Sequence, residues 1–316
     1  MAEARRTQPR AGTLGGLIAS FFEPRRSHAA PIDDRPIIDQ CRELMQAKAE
    51  GPVQRLSASI LATFPMLEEA EKRAFFTYLT DELDLDAQAV ADAAAAYGEA
   101  QDAATLGALL SVAEPGRQTL FRKMNTSDGA TTALVRMRAE LLRFMREGPN
   151  FRRIDLDLVH LFTSWFNRGF LVLERIDWAT PARVLEKIIA YEAVHQINDW
   201  DDLRRRTEPA DRRCYAYFHP RMPDEPLIFV EVALTQGVPE SIQGVLAQDR
   251  VLLDAADADT AVFYSISNCQ QGLAGISFGE SLIKNVVADL STELPGLKTF
   301  ITLSPIPGFR DWLTGL

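Results

Sequence analysis

The sequence predicts an α+β multidomain protein in which an all-α helical bundle is followed by a mixed α/β domain. From about residue 36 to 165, apolar residues recur at three- and four-residue spacing, the pattern of amphipathic helices. After residue 167, short β-branched and aromatic runs alternate with helical segments and turns. The segment "TTALVRMRAELLRFMREG" is the clearest helix, and its expected buried face comprises Leu134, Met137, Leu141 and Phe144.

These patterns divide the chain into three predicted parts. Residues 1–35 form a flexible N-terminal extension, 36–166 an all-helical domain, and 167–316 the mixed α/β domain. The extension is rich in arginine and contains one short apolar stretch, "LIASFF". A transit peptide is an alternative interpretation, but Glu3 and Glu23 favour a loose extension.

Composition and charge argue against several functional classes. The 34 basic and 44 acidic residues give a formal charge of −10, whereas sequence-independent nucleic-acid binding needs a basic face. No apolar run approaches the roughly 20 residues that cross a bilayer. Three widely spaced cysteines suit a reducing compartment and predict a cytoplasmic location, and the four histidines lack metal-ligand spacing. We therefore expect no nucleic acid, membrane or metal partner.

The α/β half reads in the order β-α-α-β-β-β-α-β. Two helical segments follow the first strand, and one helix separates the fourth strand from the fifth. The predicted strands are residues 169–176, 214–219, 226–235, 260–267 and 298–304.

The segment "FYSISNCQQGLAGISFGESLIKNVVADL" joins the fourth strand to the last helix through a loop of small residues. Gly272, Ala274 and Gly275 lack bulky side chains, so the backbone there can approach a ligand closely. The free N–H groups and the dipole of the following helix favour an anion, such as a phosphate or pyrophosphate. A simple tight turn is the alternative. The helix has one apolar face, formed by Gly279, Leu282, Ile283, Val286, Val287 and Leu290.

The position of this loop favours the anion site. A loop between the fourth strand and the next helix, in this element order, is typical of the acetyl-CoA-using N-acetyltransferase superfamily. Three segments further resemble the malonyl-CoA decarboxylase family: "RRCYAYFHP…EPLIFVEVALT", "FYSISNCQQGLAGISFGESLIKNVV" and "LSPIPGFRDWL". The resemblance covers most of residues 167–316, and the helical half occupies the place of that family's N-terminal helical domain.

The resemblance implies conversion of malonyl-CoA to acetyl-CoA and CO2, without metal or organic cofactor, since coenzyme A enters as part of the substrate. It also implies that Ser304, in "SPIPGF", is the catalytic serine. A serine that only begins a Ser-Pro turn is the alternative interpretation. The residues expected to bind malonyl-CoA are Gln271, Gly272, Leu273, Ala274, Gly275, Ile276, Ser277, Phe278, Gly279, Glu280 and Ser304.

One departure from the family pattern concerns the C-terminus. The family continues beyond "SPIPGF" and carries its catalytic histidine there, whereas this sequence ends at Leu316. We therefore expect an incomplete, N-acetyltransferase-like catalytic domain, an exposed fifth strand and impaired decarboxylation by this chain alone. His195 is expected to be a cap or packing residue and His219 a turn residue. The resemblance also implies a homo-oligomer assembled through the helical domain.

Two further functions remain open on the sequence. One is an acyl-CoA-dependent N-acyltransferase, which requires a general base that no motif clearly marks. The other is a non-catalytic acyl-CoA-binding protein. The basic runs, at residues 204–206 and at Arg212 and Arg213, predict either a phosphate contact or a solvated helix face.

Overall fold

The computed structural model describes residues 33–147, 151–304, 306 and 308–315. The predicted N-terminal extension lies outside these residues as far as residue 32. Up to residue 165 the described chain is helical, with α1 Ile37–Gln46, α2 Glu50–Thr63, α3 Glu69–Asp81, α4 Ala87–Ala100, α5 Ala103–Val112, α6 Gly116–Met124, α7 Ala130–Glu147 and α8 Arg152–Trp165.

The predicted buried face of α7 is confirmed. Leu134, Met137, Leu141 and Phe144 are each at most 1% exposed. Phe144 packs edge-on against Phe76, with 5.7 Å between ring centroids, in a cluster of aromatic rings. Such edge-to-face pairs stabilise a core beyond the area they bury.

Helices α4 and α5 form a hairpin that contributes no buried residue to the core. Asp86 and Asp102 cap the two helices by accepting backbone N–H groups, and Gln101 turns the chain between them with φ 49°. The sequence pattern did not predict α5 or α6. Helix α5, "AATLGALLSV", is short and apolar on most sides, so its periodicity gives little contrast.

The second half is a five-stranded mixed sheet, which confirms the predicted fold class. The strands run in the order β1-β2-β3-β4-β5; β4 and β5 are parallel and the other pairs are antiparallel. The elements are β1 Val172–Ile176, α9 Ala182–Tyr191, α10 Trp200–Thr207, β2 Arg212–Phe218, β3 Ile228–Thr235, α11 Ile242–Leu246, β4 Thr260–Asn268, α12 Gly279–Glu293, β5 Thr299–Thr302 and α13 Phe309–Thr314.

The two faces of the sheet are covered by different helices. On one face, Leu282, Val286 and Leu290 of α12 are fully buried, as the spacing predicted, in a core that continues into the helical half. On the other face, α9 and α10 pack Val184 and Leu203 against the strands. The domain boundary at 166/167 stays a prediction, because one hydrophobic core spans it.

The β3–β4 pair contains a bulge. Glu231 pairs with Ser265 and Val232 pairs with Phe263, so Tyr264 is an extra residue on β4. A bulge increases the local twist and re-aims the side chains beside it.

Strands β4 and β5 separate at this bulge. They pair only from Thr260↔Thr299 to Phe263↔Thr302, and the Leu303 N–H then donates to the Phe263 carbonyl at 2.9 Å. Strand β4 continues to Asn268. The two strands therefore form a fork that opens toward the loop between β4 and α12.

Candidate functional site

The candidate site is the fork together with the loop that follows β4. The loop forms a 3-10 turn at Gln271–Leu273 and reaches α12 through Phe278. No described side chain caps the N-terminus of α12. Its first N–H groups have no intrahelical partner, and they can serve a bound anion.

Gly275 supplies the backbone conformation that the loop needs. Its φ is +82°, in the left-handed region that favours glycine, and a Cβ built there would have open space around it. This part of the loop therefore fits the expectation of a backbone that a ligand can approach.

Gly272 is packed closely against α7. A Cβ at this position would lie 1.8 Å from the Val135 carbonyl oxygen, so only a glycine permits this contact, and the predicted substrate contact of Gly272 stays a prediction. Gly272 is buried, whereas Gly275 is exposed. Sequence could not separate these two roles, because Val135 lies far from the loop along the chain.

Arg138 of α7 holds the loop in place. Its guanidinium donates at 2.8 Å to the carbonyls of Gly272 and Ala274, and at 2.8 Å to Asp155. The Arg138 side chain is only 3% exposed. A buried guanidinium with several acceptors is a rigid support. The helical half thus positions the candidate binding loop. The sequence pattern predicted the loop but not this contact with α7.

The other predicted binding residues divide into an exposed and a buried group. Leu273 and Phe278 pack in the core, so only their backbone is available to a ligand. Gly279 is the first residue of α12, and Ile276 is half-buried. The exposed members are Gln271, Ala274, Gly275, Ser277 and Glu280.

Ser304 lies at the opening of the fork. It is exposed and follows Leu303, whose N–H makes the β5-to-β4 hydrogen bond described above. Continuing the β4–β5 register by two residues beyond the Phe263↔Thr302 pair would set Ser304 opposite Ser265 of β4. Ser304 and the loop after β4 thus both follow strand ends on the same, C-terminal side of the parallel β4–β5 pair.

A polar network beyond the fork was not predicted from the sequence. Glu192, just after α9, accepts hydrogen bonds from the Ser265 hydroxyl at 2.7 and 2.8 Å and from the Ser267 hydroxyl at 3.1 Å. The N–H groups of Val194 and His195 donate to the same carboxylate at 2.8 and 2.7 Å. "YEAVHQ" and "SIS" carry no motif that would pair them.

Glu231 is the most deeply buried carboxyl group near this network. Burial raises its pKa to about 8, Arg206 at 3.2 Å opposes that rise, and Glu192 adds to it. Arg206 also donates to Asp202 and to the carbonyls of His195 and Gln196. Arg206 is therefore neither a solvated residue nor a free phosphate ligand.

The other basic residues of the two runs are also committed to protein contacts. Arg212 donates to the Val245 carbonyl at 2.6 Å and Arg213 to Glu293 at 2.7 Å, and both are buried. Arg204 stacks over the Trp178 ring at 4.3 Å. These contacts argue against either predicted role for Arg212 and Arg213.

The two histidines near the sheet have structural surroundings. Burial lowers the pKa of His195, whose ring lies 6.2 Å from that of Tyr264. His219 accepts the Arg221 N–H at 3.1 Å, lies 3.1 Å from the Trp165 carbonyl, and packs against Phe166. His219 thus joins the turn after β2 to the end of α8, as its turn assignment anticipated.

A cavity of about 800 Å³ lies elsewhere, between α7, α9 and the β2–β3 connection. Three of its basic residues have acidic partners: Lys72 pairs with Glu140, and both Arg136 and Lys187 pair with Glu225. It therefore offers less uncompensated positive charge than its basic residues suggest, and we place the candidate site at the fork.

The described residues contain no group of three or more histidine, cysteine or carboxylate side chains placed to hold a metal ion. Among the helices of that same part of the chain, none is both long and apolar enough to cross a membrane.

Comparison with known proteins identifies similar sequences and structures. Family models described as the malonyl-CoA decarboxylase N-terminal and C-terminal domains match residues 83–166 and 169–315. Among solved structures, malonyl-CoA decarboxylase from Rhodopseudomonas palustris is 52% identical with a TM-score of 0.83, covering 88% of this chain and 68% of that one. The Agrobacterium vitis enzyme is 49% identical with a TM-score of 0.84, covering 89% and 68%.

Curated relatives are longer than this chain. The mitochondrial malonyl-CoA decarboxylase of Mus musculus is 37% identical over 322 residues, which cover 96% of this chain and 63% of the relative. That of Anser anser anser is 38% identical over 285 residues, covering 85% and 56%. The chain thus spans about three fifths of the length of these relatives.

Proposed function

The chain belongs to the malonyl-CoA decarboxylase family, and from this premise we propose that it converts malonyl-CoA to acetyl-CoA and CO2. The observation that carries the proposal is the fork. Ser304 is exposed where β5 ends, and the loop after β4 leads to a helix N-terminus that no described side chain caps; both features support the proposal.

In the proposed complex, the coenzyme A pyrophosphate binds the 271–280 loop and the first turn of α12. Arg138 holds this loop through the carbonyls of Gly272 and Ala274. The first N–H groups of α12, which no described side chain caps, bind the phosphates. The pantetheine arm lies along β4 beyond Phe263, where β5 has separated. Backbone groups freed from a sheet are ready partners for the amides of such an arm.

The proposed reaction breaks the bond between the α-carbon and the carboxylate. The electron pair spreads onto the thioester oxygen as an enolate, CO2 leaves, and a proton then adds to the α-carbon. The site therefore needs a donor for the developing oxyanion and a source of that proton. The Ser304 hydroxyl serves as the donor to the malonyl carboxylate or enolate, or relays the proton. No separate cofactor takes part in the proposed step.

Mass spectrometry of acetyl-CoA formed from malonyl-CoA tests the proposal. We expect slow but measurable turnover by the wild-type chain, loss of that turnover in Ser304→Ala, and little change in coenzyme A binding. Ser291→Ala, an exposed serine on α12, is the matched control and should behave as wild type. Wild-type turnover in Ser304→Ala would refute the serine assignment.

The same assay separates the alternative functions. Acyl transfer to an added amine without CO2 release would indicate an N-acyltransferase. Coenzyme A binding without any turnover would indicate a non-catalytic acyl-CoA-binding protein. Impaired turnover by this chain alone stays a prediction, and comparison of its kcat with that of the Rhodopseudomonas palustris relative tests it.

We also propose a homo-oligomer assembled through the helical domain. Support comes from the α4–α5 hairpin, which buries none of its residues although it carries Leu106 and Leu110, 39% and 63% exposed. An apolar hairpin of this kind is suited to contact a second copy. Leu110→Arg should lower the mass measured by light scattering; an unchanged mass would count against this interface.

The proposed compartment is the cytoplasm. All three cysteines, Cys41, Cys214 and Cys269, are buried and free, which suits a reducing environment. The curated relatives are named as mitochondrial proteins. Cell fractionation with compartment markers tests the proposal, and recovery of the protein with another compartment would overturn it.

A further inference from the structure

Strand β4 loses one of its two neighbouring strands at the fork. Up to Phe263 it lies between β3 and β5; beyond Phe263, its register pairs are with β3 alone. One edge of the segment from Tyr264 to Asn268 is therefore open. A ligand bound along that edge depends on how firmly the segment is held from its other sides.

Glu192 holds this open segment from the α9–α10 side. It accepts the hydroxyl groups of Ser265 and Ser267, the two serines that the bulge turns toward it, at 2.7 to 3.1 Å. Ser267 in turn accepts the Ala193 N–H at 3.2 Å. Several short hydrogen bonds converge on this one carboxyl group, so the contact is a firm link.

The loop that carries Glu192 is itself fixed at both ends. Glu192 binds the N–H groups of Val194 and His195, which turns the chain sharply after α9. Arg206 of α10 binds the carbonyls of His195 and Gln196 at 2.6 and 2.8 Å. The loop thus forms a rigid wall behind β4, on the face opposite α12.

We propose that Glu192 is a positioning residue, which fixes the open edge of β4 so that an acyl-thioester arm binds in register with Ser304. This inference rests on the proposed function, because it assigns the fork to coenzyme A. Glu192 acts through Ser265 and Ser267 and makes no contact with the reacting atoms.

A purely structural role for Glu192 predicts a different experimental result. If Glu192 served only to turn the chain after α9, its loss would lower thermal stability and leave the kinetics of the folded enzyme unchanged. A positioning role predicts weaker binding and slower turnover at temperatures where every variant is folded. Misplacement of a bound arm by about 1 Å is enough to reduce rates about 100-fold.

Coenzyme A binding by calorimetry and malonyl-CoA kinetics decide between the two roles. We expect Ser265→Ala/Ser267→Ala and Glu192→Gln each to raise the Kd for coenzyme A, and to lower kcat/KM by about 10-fold or more. Combining all three changes should add little, because they remove one link. The control is Glu186→Gln, an exposed glutamate on α9, which should match wild type.

The outcomes keep the two proposals separable. Unchanged Kd and kcat/KM in the folded double serine variant would overturn the positioning role, even if Glu192→Gln failed to fold. A wild-type chain that binds coenzyme A without decarboxylation would overturn the proposed reaction, while the Kd series still tests Glu192. A wild-type chain that does not bind coenzyme A would overturn both.

Discussion

At the scale of single residues, the surroundings of a side chain decide its role more than its type does. Gly272 and Gly275 are three residues apart in one loop, yet one contacts α7 and the other faces open space. Glu231 and Glu280 are both glutamates, yet burial raises the pKa of the first and Lys284 lowers the pKa of the second. Each difference leads to a measurable consequence.

Gly272→Ala should destabilise the protein. The new Cβ would lie 1.8 Å from the Val135 carbonyl oxygen, so α7 and the loop must move apart. Overpacking of this kind costs about 1–3 kcal/mol in the free energy of unfolding, measurable by urea denaturation. Gly107→Ala, in α5 with no neighbour within 4 Å, is the control, and it should stabilise by about 0.5–1 kcal/mol. Equal effects would contradict the close contact.

Glu231→Gln should change how stability depends on pH. The pKa of Glu231 rises on folding from its ordinary value of 4.5 to about 8, so the folded state binds this proton more tightly than the unfolded state. Its stabilising contribution is complete below pH 4.5 and is lost as the pH rises toward 8. Between pH 5 and 8.5, the wild-type Tm should therefore fall relative to that of Glu231→Gln. Parallel curves would show that Glu231 is ionised in the folded protein.

At the scale of secondary-structure elements, α7 serves two neighbours at once. Its apolar residues form the core of the helical half, and Arg138, between the core residues Met137 and Leu141, holds the candidate binding loop. Periodicity predicted the first role. The second depends on a contact between residues that are 134 and 136 positions apart, which no local pattern encodes.

Arg138→Lys should loosen the binding loop. A lysine keeps the charge, but its single ammonium cannot reproduce the guanidinium contacts with two carbonyls and Asp155. We expect a loss of about 2–3 kcal/mol in the free energy of unfolding and a higher Kd for coenzyme A. The control is Arg136→Lys. Arg136 lies two residues before Arg138 on α7 and its side chain is 68% exposed, so this change should alter the free energy of unfolding by less than about 1 kcal/mol. Matching coenzyme A affinities in the two variants would contradict this role.

At the scale of the whole molecule, the two halves share one hydrophobic core. The same cluster contains Leu134 and Phe162 from the helical half, and Val230 and Leu282 from the sheet half. His219 and Arg138 add polar contacts across the boundary. The division at 166/167 therefore marks a change of secondary structure, and the core does not stop there.

A shared core predicts cooperative unfolding. Scanning calorimetry of the full chain should show a single transition, with calorimetric and van't Hoff enthalpies that agree. Gly272→Ala should lower the midpoint of that whole transition, because its contact joins the two halves. Two separated transitions, with only one shifted by the substitution, would show that the halves fold independently.

The sequence by itself determined the order of most helices and strands and the loop between β4 and α12. Apolar spacing and small-residue turns are local properties, so they are readable within about fifteen residues. Helices α5 and α6 were not predicted, because a short segment shows little contrast between an apolar and a polar face. Only the tertiary structure decided that Gly272 contacts α7, that Arg138 holds the loop, and that Glu192 binds Ser265, 73 positions away. Such contacts depend on how elements pack in three dimensions, and packing brings together residues that no local pattern connects.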